Sequence, residues 1–169
     1  MNRILLSLFV LLLLNGHSYC HLTDLNGWDN ARWGMTIKEL SKIYKVKKTS
    51  PECFTAQNVK IGDYKYNVHF LFSKLNVLEG IIINISTGWQ NGGQCAYKPP
   101  TKEQCKNMER ILIEQYGPPH KDSSENLFLT GSRRTTNTWE FPSTRIYFSG
   151  KPGFTIEVAY LAKVAPKKL

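Results

Sequence analysis

The sequence predicts a two-layer α+β fold: one antiparallel sheet of five or six strands, with two helices on one face, in the order helix–strands–helix–strands. Three observations predict it. Two capping boxes, Thr36-x-x-Glu39 and Thr101-x-x-Gln104, each open a stretch of helical periodicity. Runs of strict apolar–polar alternation follow each helix. Short turn signals separate those runs, so neighbouring strands are antiparallel, and no strand–helix alternation calls for a parallel sheet.

In the first box the Thr36 hydroxyl can accept from the third helical amide while Glu39 reaches back. Ile37, Leu40, Ile43 and Tyr44 then recur at helical spacing, predicting a helix from about 37 to 45. Lys38, Lys42 and Lys45 fall mostly on the other face. Pro51 marks a loop. In "YKYNVHFLF", Tyr64, Tyr66, Val68, Phe70 and Phe72 point one way and Lys65, Asn67 and His69 the other. Gly62-Asp63 before it is a turn signal, so "AQNVKI" is a candidate earlier strand. "SKLN" is a reverse turn and "VLEGIIINIS" the returning strand. The result is a meander with one face on a core and one toward water.

The stretch from Thr87 to Pro100 is rich in Gly and Pro and reads as a loop. After the second box, Cys105, Met108, Ile111, Leu112 and Tyr116 form the apolar face of a helix over about 102–116. Gly117 suits its end, and Pro118-Pro119 stop it. A polar loop is expected next, with a short apolar element at "NLFLTG". Three strands close the chain: "RRTTNTWEF", "TRIYFS" and "FTIEVAYLA". One domain is expected over 21–163. Its halves, about 34–87 and 100–162, look like a diverged helix–strand repeat. A flexible basic tail is expected over 164–169.

Residues 1–20 read as a secretory signal. Arg3 precedes an eleven-residue apolar run, Ile4 to Leu14, too short for a membrane span. Cleavage after Ser18 or Cys20 fits the small-residue rule, which places the mature chain in the periplasm or outside the cell. The full chain of 169 residues carries 22 basic and 13 acidic residues. Losing Arg3 leaves a net charge of +8, which favours an anionic partner or simply an alkaline exported protein. The lysines do not interleave with aromatics as a nucleic-acid stacking platform would. Four cysteines, Cys20, Cys53, Cys95 and Cys105, suggest a disulfide in an oxidising compartment. Cys95–Cys105 is the preferred pair, with Cys53–Cys95 and Cys53–Cys105 as competitors. No CxxC or HxxxH spacing supports a metal site, and no cofactor is expected.

The sequence presents no catalytic constellation. There is no G-x-S-x-G, no phosphate loop with its lysine and no carboxylate pair at acid–base spacing. His69 is expected to face solvent and His120 to sit in a loop. Asn84-Ile85-Ser86 matches a glycosylation sequon inside a β-run. Two surfaces are candidates for contact with a partner: the loop bearing Trp89 and Tyr97, and a β-face presenting Arg134, Thr136, Thr138 and Arg145. "GWDNARWGMT" is read as a structural clasp, with Trp28 and Trp33 closing the core, Gly34 freeing the turn and Thr36 capping the helix.

"GWDNARWGMTIKEL", "HFLFSKLNVLEGIIINI", "ILIEQYGPP" and "NTWEFPSTRIYF" with "IEVAYLA" occur in that order. Together they resemble a group of uncharacterised exported bacterial proteins sharing W-x-x-x-x-W-G-M-[ST], Y-G-x-P and W-x-F-P-x-T-x-I. The W-G-M-[ST] helix start with its meander is also similar to small envelope modules of the β-lactamase-inhibitor-like and BamE-like type. That similarity implies a binding or assembly part, not an enzyme. Tyr19 stands where the lipoprotein members need a small residue, so membrane anchoring is not carried over. The sequence therefore leads to a non-enzymatic periplasmic binding module, inhibitor-like or immunity-like in kind. Its expected partner is a protein, or else an anionic envelope component, without nucleic acid and without stable membrane insertion. The alternative is a small exported hydrolase acting on an anionic envelope substrate, with His69 or His120 beside a carboxylate or Cys53.

Overall fold

The computed structural model describes residues 24–85, 99–127 and 132–163. A two-strand hairpin, β1 (Gly27–Trp28) and β2 (Ala31–Arg32), precedes a short helix, α1 (Ile37–Leu40). Four strands follow: β3 (Lys47–Ser50), β4 (Cys53–Ile61), β5 (Tyr64–Phe72) and β6 (Leu78–Asn84). Then come α2 (Lys102–Tyr116) and four more strands: β7 (Lys121–Leu127), β8 (Ser132–Glu140), β9 (Thr144–Lys151) and β10 (Thr155–Ala162). The fold is mostly-β α+β, and its main sheet is antiparallel with eight strands in the order β3-β4-β5-β6-β10-β9-β8-β7.

Two short meanders thus join through their last strands. β6 and β10 pair antiparallel at the centre, with Ile82 opposite Ala159 and Ile83 opposite Val158. Each meander begins at an outer edge and works inward. Both edges are polar. β3 is the four-residue segment KKTS, and β7 reads KDSSENL. Short, charged edges discourage pairing with another chain.

The expected count of five or six strands is corrected to eight by these edge strands. β7 occupies the segment expected to be a loop, because its pairing with β8 runs in register from Lys121–Thr138 to Leu127–Ser132 without needing an apolar face. The expected nine-residue first helix shrinks to the four residues of α1. Beyond Leu40 the chain continues in tight turns, with the Ile43 amide bonded to the Leu40 carbonyl at 3.0 Å. Tyr44 is drawn toward the hairpin instead: its ring stacks on Trp28 and its hydroxyl donates to Asp29 at 2.7 Å.

Both capping boxes form as their spacing requires. Glu39 accepts from the Thr36 amide at 2.8 Å, and Gln104 accepts from the Thr101 amide at 2.8 Å. α2 ends at Gly117, whose φ of 78° is open to glycine without steric cost. The Gly117 carbonyl then accepts from the indole of the fully buried Trp139 at 2.8 Å, which ties the helix end to β8.

Hairpin and helices lie on one face of the sheet. Cys105, Met108, Leu112 and Tyr116 of α2 are buried against the inward residues of the strands. Those include Tyr66, Val68 and Phe70 of β5, Ile81 and Ile83 of β6, and Val158 and Tyr160 of β10, all within 2 % of full burial. The Tyr116 and Tyr160 rings meet edge to face, and Trp28 lies 6.3 Å from Tyr160. The core is therefore one aromatic-rich layer running under both halves.

The clasp segment is part of this layer. Gly27 has φ 131°, and a Cβ there would stand 2.0 Å from the Ala31 carbonyl oxygen. Gly34, at φ 86°, turns the chain so that its amide bonds Leu78 while Leu78 bonds back to Met35, both at 2.9 Å. Arg32 donates to the Asp29 backbone carbonyl rather than to its carboxylate.

Candidate interaction face

Register assigns every strand residue to one of two faces. The Asn137 and Trp139 side chains of β8 reach the α2 side, so Arg134, Thr136, Thr138 and Glu140 lie on the opposite face. Tyr147 pairs with Thr138 and with Ala159, and Arg145 pairs with Glu140 and with Leu161. Ala159 lies opposite Ile82, which lies opposite His69, which lies opposite Thr55. One row therefore crosses the sheet from Thr55 through His69, Ile82, Ala159 and Tyr147 to Thr138. A second runs from Cys53 through Leu71, Gly80 and Leu161 to Arg145 and Glu140.

No described element packs on this face. Tyr147 is 37 % exposed and Leu161 40 %. Gly80 sits between two leucines: a Cβ there would lie 3.3 Å from a Leu71 methyl and 3.6 Å from a Leu161 methyl. The absent side chain lets the leucines close over the strand as a low apolar patch. Around it stand cations, with Lys47, Lys60 and Lys65 toward the β3–β5 edge and Arg134 and Lys121 toward the other.

Arg134 and Arg145 are thus brought to the same face, with Thr136 and Thr138 between them. Arg134 is exposed. Arg145 is paired with Glu140 at 2.6 Å, and Lys163 holds the other Glu140 oxygen at 2.8 Å. The hydrogen bond from Lys163, then the one from Arg145, pull the Glu140 carboxyl below its ordinary range. Trp89, Tyr97 and Cys95 lie outside the described residues, as do the expected signal and tail.

Two histidines, His69 and His120, lie among the described residues. His69 lies on the open face of the sheet as expected, but it is half-buried there, its ring bracketed by polar neighbours on the adjacent strands. Its Nδ1 lies 2.9 Å from the Thr55 hydroxyl and its Nε2 3.3 Å from the Asn84 amide oxygen. Both ring nitrogens thus have a polar side-chain partner. The Thr49 hydroxyl, 3.1 Å from that of Thr55, extends the chain. His120 is exposed, and its Nδ1 accepts from the Glu140 amide at 2.7 Å. Both rings thus bond to hydroxyl, amide and backbone groups rather than to a carboxylate or to Cys53.

Cys105, expected in a bridge, stands as a free thiol turned into the core. Burial, and then the charge of Glu109, push it up to about 11. A thiol held so far above neutral pH is a poor nucleophile. Cys53 is also free, so Cys53–Cys105 is not formed. No three-residue group of His, Cys, Asp and Glu that could hold a metal occurs among the described residues. No described helix is long and apolar enough to cross a membrane.

Sequence reasoning missed the central stripe of Leu71, Gly80, Ile82, Leu161 and Tyr147. The signal was there: "LEGIII" and "AYLA" place apolar residues at both parities of the two central strands. No protein-family model, no curated protein and no solved structure matches this chain.

Proposed function

We propose that the chain is an exported, non-enzymatic interaction module that docks an acidic protein surface on the open face of its sheet. The observation that carries this reading is the patch of exposed Tyr147 and Leu161 beside half-buried Leu71, flanked by Lys47, Lys65, Arg134 and Arg145 on a face that no described element covers. Large apolar side chains at the centre of a patch and charge at its rim make up a protein-binding surface. Among the described residues Lys47, Lys60, Lys65, Lys121, Arg134 and Arg145 outnumber Glu140 and Glu157 on this face, so the complementary partner surface is acidic on balance, and its approach is steered by charge. An inhibitor or immunity role is a special case of this docking.

The test is mild crosslinking in periplasmic extract followed by affinity capture, comparing the wild-type chain with Tyr147→Ala and Leu161→Ser. The reading expects a stoichiometric protein adduct in the wild type that both substitutions remove at unchanged melting temperature. Retention of the adduct in both variants contradicts it. Capture of an envelope polyanion instead, lost steeply with added salt, assigns the face to the second expected partner class.

A further inference from the structure

A groove opens on the other face of the sheet, independent of the docking surface. α2 lies over β9 and buries Asn137 and Trp139 of β8, and beyond it Thr135 of β8 and the inward side of β7 open to a hollow. The resulting hollow has a volume of about 610 Å³. Small-molecule sites span roughly 300–1,000 Å³, so this one can hold a mono- or disaccharide-sized molecule.

Its lining departs from the rest of the inward face. On β4 and β5 the inward positions are Phe54, Ala56, Tyr66, Val68 and Phe70, all apolar or aromatic. On β7 and β8 the corresponding inward positions include Asp122, Thr135 and Asn137, and all three line the hollow. The polarity of β7 suits its edge position, but Asn137 and Thr135 belong to β8, which is paired on both sides. Asn137 is only 2 % exposed, yet it is polar, and its amide donates to Glu109 of α2 at 2.8 Å. That bond fixes the amide's orientation and holds the Glu109 carboxylate at the wall. Lys102 and Lys106 of α2 also line the hollow.

The charges balance: two lysines against Glu109 and Asp122. Hydroxyl, amide, carboxylate and ammonium groups share the space with an apolar floor of Phe148, Cys105 and Pro152, so donors and acceptors are mixed around a surface on which a sugar ring can pack. A net-neutral, hydrogen-bond-rich lining matches a neutral ligand with many hydroxyls better than it matches an ion. We infer that the groove between α2 and the β7–β8 edge is a binding site for a neutral saccharide of one or two residues. Glu109, Asp122 and Thr135 meet its hydroxyls from the sheet and the helix face, and Lys102 and Lys106 meet them from the rim.

The probe is N,N′-diacetylchitobiose, a neutral disaccharide, titrated into the 15N-labelled chain, with glucuronate as the anionic control. The expected result is saturable shifts at the Asn137 side-chain amide and at backbone amides of 102–109. Thr135→Val and Lys106→Ala, which leave the Asn137–Glu109 bond in place, are expected to weaken binding together by at least about tenfold. Unchanged circular dichroism confirms that both variants fold. Shifts absent at saturating probe, shifts confined to the opposite face, binding indifferent to the two substitutions, or binding of glucuronate alone each overturn the inference.

Discussion

The Trp33 indole N–H donates to the Thr144 hydroxyl at 2.7 Å, and that hydroxyl in turn donates to the Leu25 carbonyl. Residues 111 positions apart are joined by one side-chain bond. Asp24 adds to the junction by accepting from the Ser143 amide at 2.8 Å and from its hydroxyl. The clasp therefore fastens the N-terminal hairpin to the start of β9, while Gly34 and Met35 fasten it to β6. Both meanders are gripped by one twelve-residue segment, Asp24 to Met35.

Thr144 is fully buried. Thr144→Val removes the acceptor and leaves the indole N–H unpaired, so a loss of about 1–3 kcal/mol is expected in denaturant unfolding. Trp33→Phe removes the donor and some packing. The double variant should lose less than the sum of the two, because the orphaned partner is then gone as well. Strict additivity would show that the bond does not form in solution.

Gly27→Ala should cost more than about 2 kcal/mol, since its Cβ meets the Ala31 carbonyl and its φ of 131° strains any side chain. Trp28→Ala should cost about 3–5 kcal/mol, through loss of its contacts with Tyr44 and Tyr160. Thermal melts of both variants give the answer. Near-wild-type melting in either would refute the clasp.

The local signals of the fold were legible, and the edges were not. Both capping boxes formed because Thr36 with Glu39 and Thr101 with Gln104 carry their geometry within three residues. β5 was legible because Tyr66, Val68 and Phe70 face a core while Lys65 and Asn67 do not. β3 and β7 were illegible because an edge strand is held by backbone pairing on one side and is kept polar against aggregation. Tyr44 lies beyond the helix although its amide still bonds the Leu40 carbonyl, and its contacts with Asp29 and Trp28 of the hairpin are encoded by no periodicity. Of the open face, Arg134 and Arg145 were legible by alternation. The apolar stripe was not, because it emerges only when β6 and β10 meet at the centre.

Alkaline pH should unfold the protein earlier than its charge alone suggests. The Cys105 thiol is raised to about 11 and the Tyr66 hydroxyl to about 12, both chiefly by burial. A raised folded-state value means that the native state keeps a proton the unfolded chain releases. Their contributions are complete below the ordinary values of 9.0 and 10.0 and are lost as pH climbs toward 11 and 12. Urea midpoints should therefore fall steadily above about pH 9. Cys53 should also react with a thiol reagent at pH 8 well before Cys105, and equal rates would show that Cys105 is not in the core.

Acid acts with the opposite sign. Glu140, Asp24 and Glu39 are each held below the ordinary carboxylate range by hydrogen bonds, from Lys163, Ser143 and Thr36 respectively. Their contribution is present at neutral pH and is lost as pH falls below the ordinary range and through the lowered values. Glu140→Gln should flatten part of that acid slope without shifting the midpoint at pH 7 by much, since the carboxylate is partly solvated and its ion pairs are screened. An unaltered slope would remove the Lys163–Glu140–Arg145 cluster from the account.

The most direct test of the central claim is site-specific photo-crosslinking in the native compartment. A photoreactive phenylalanine analogue at Tyr147, on the open face, is compared with one at Ile113, which is exposed on α2. The account predicts a discrete protein adduct from position 147, weakened by Arg134→Glu and Arg145→Glu, and none from position 113. An adduct from position 113 alone, or no adduct from either, would contradict docking on the open face.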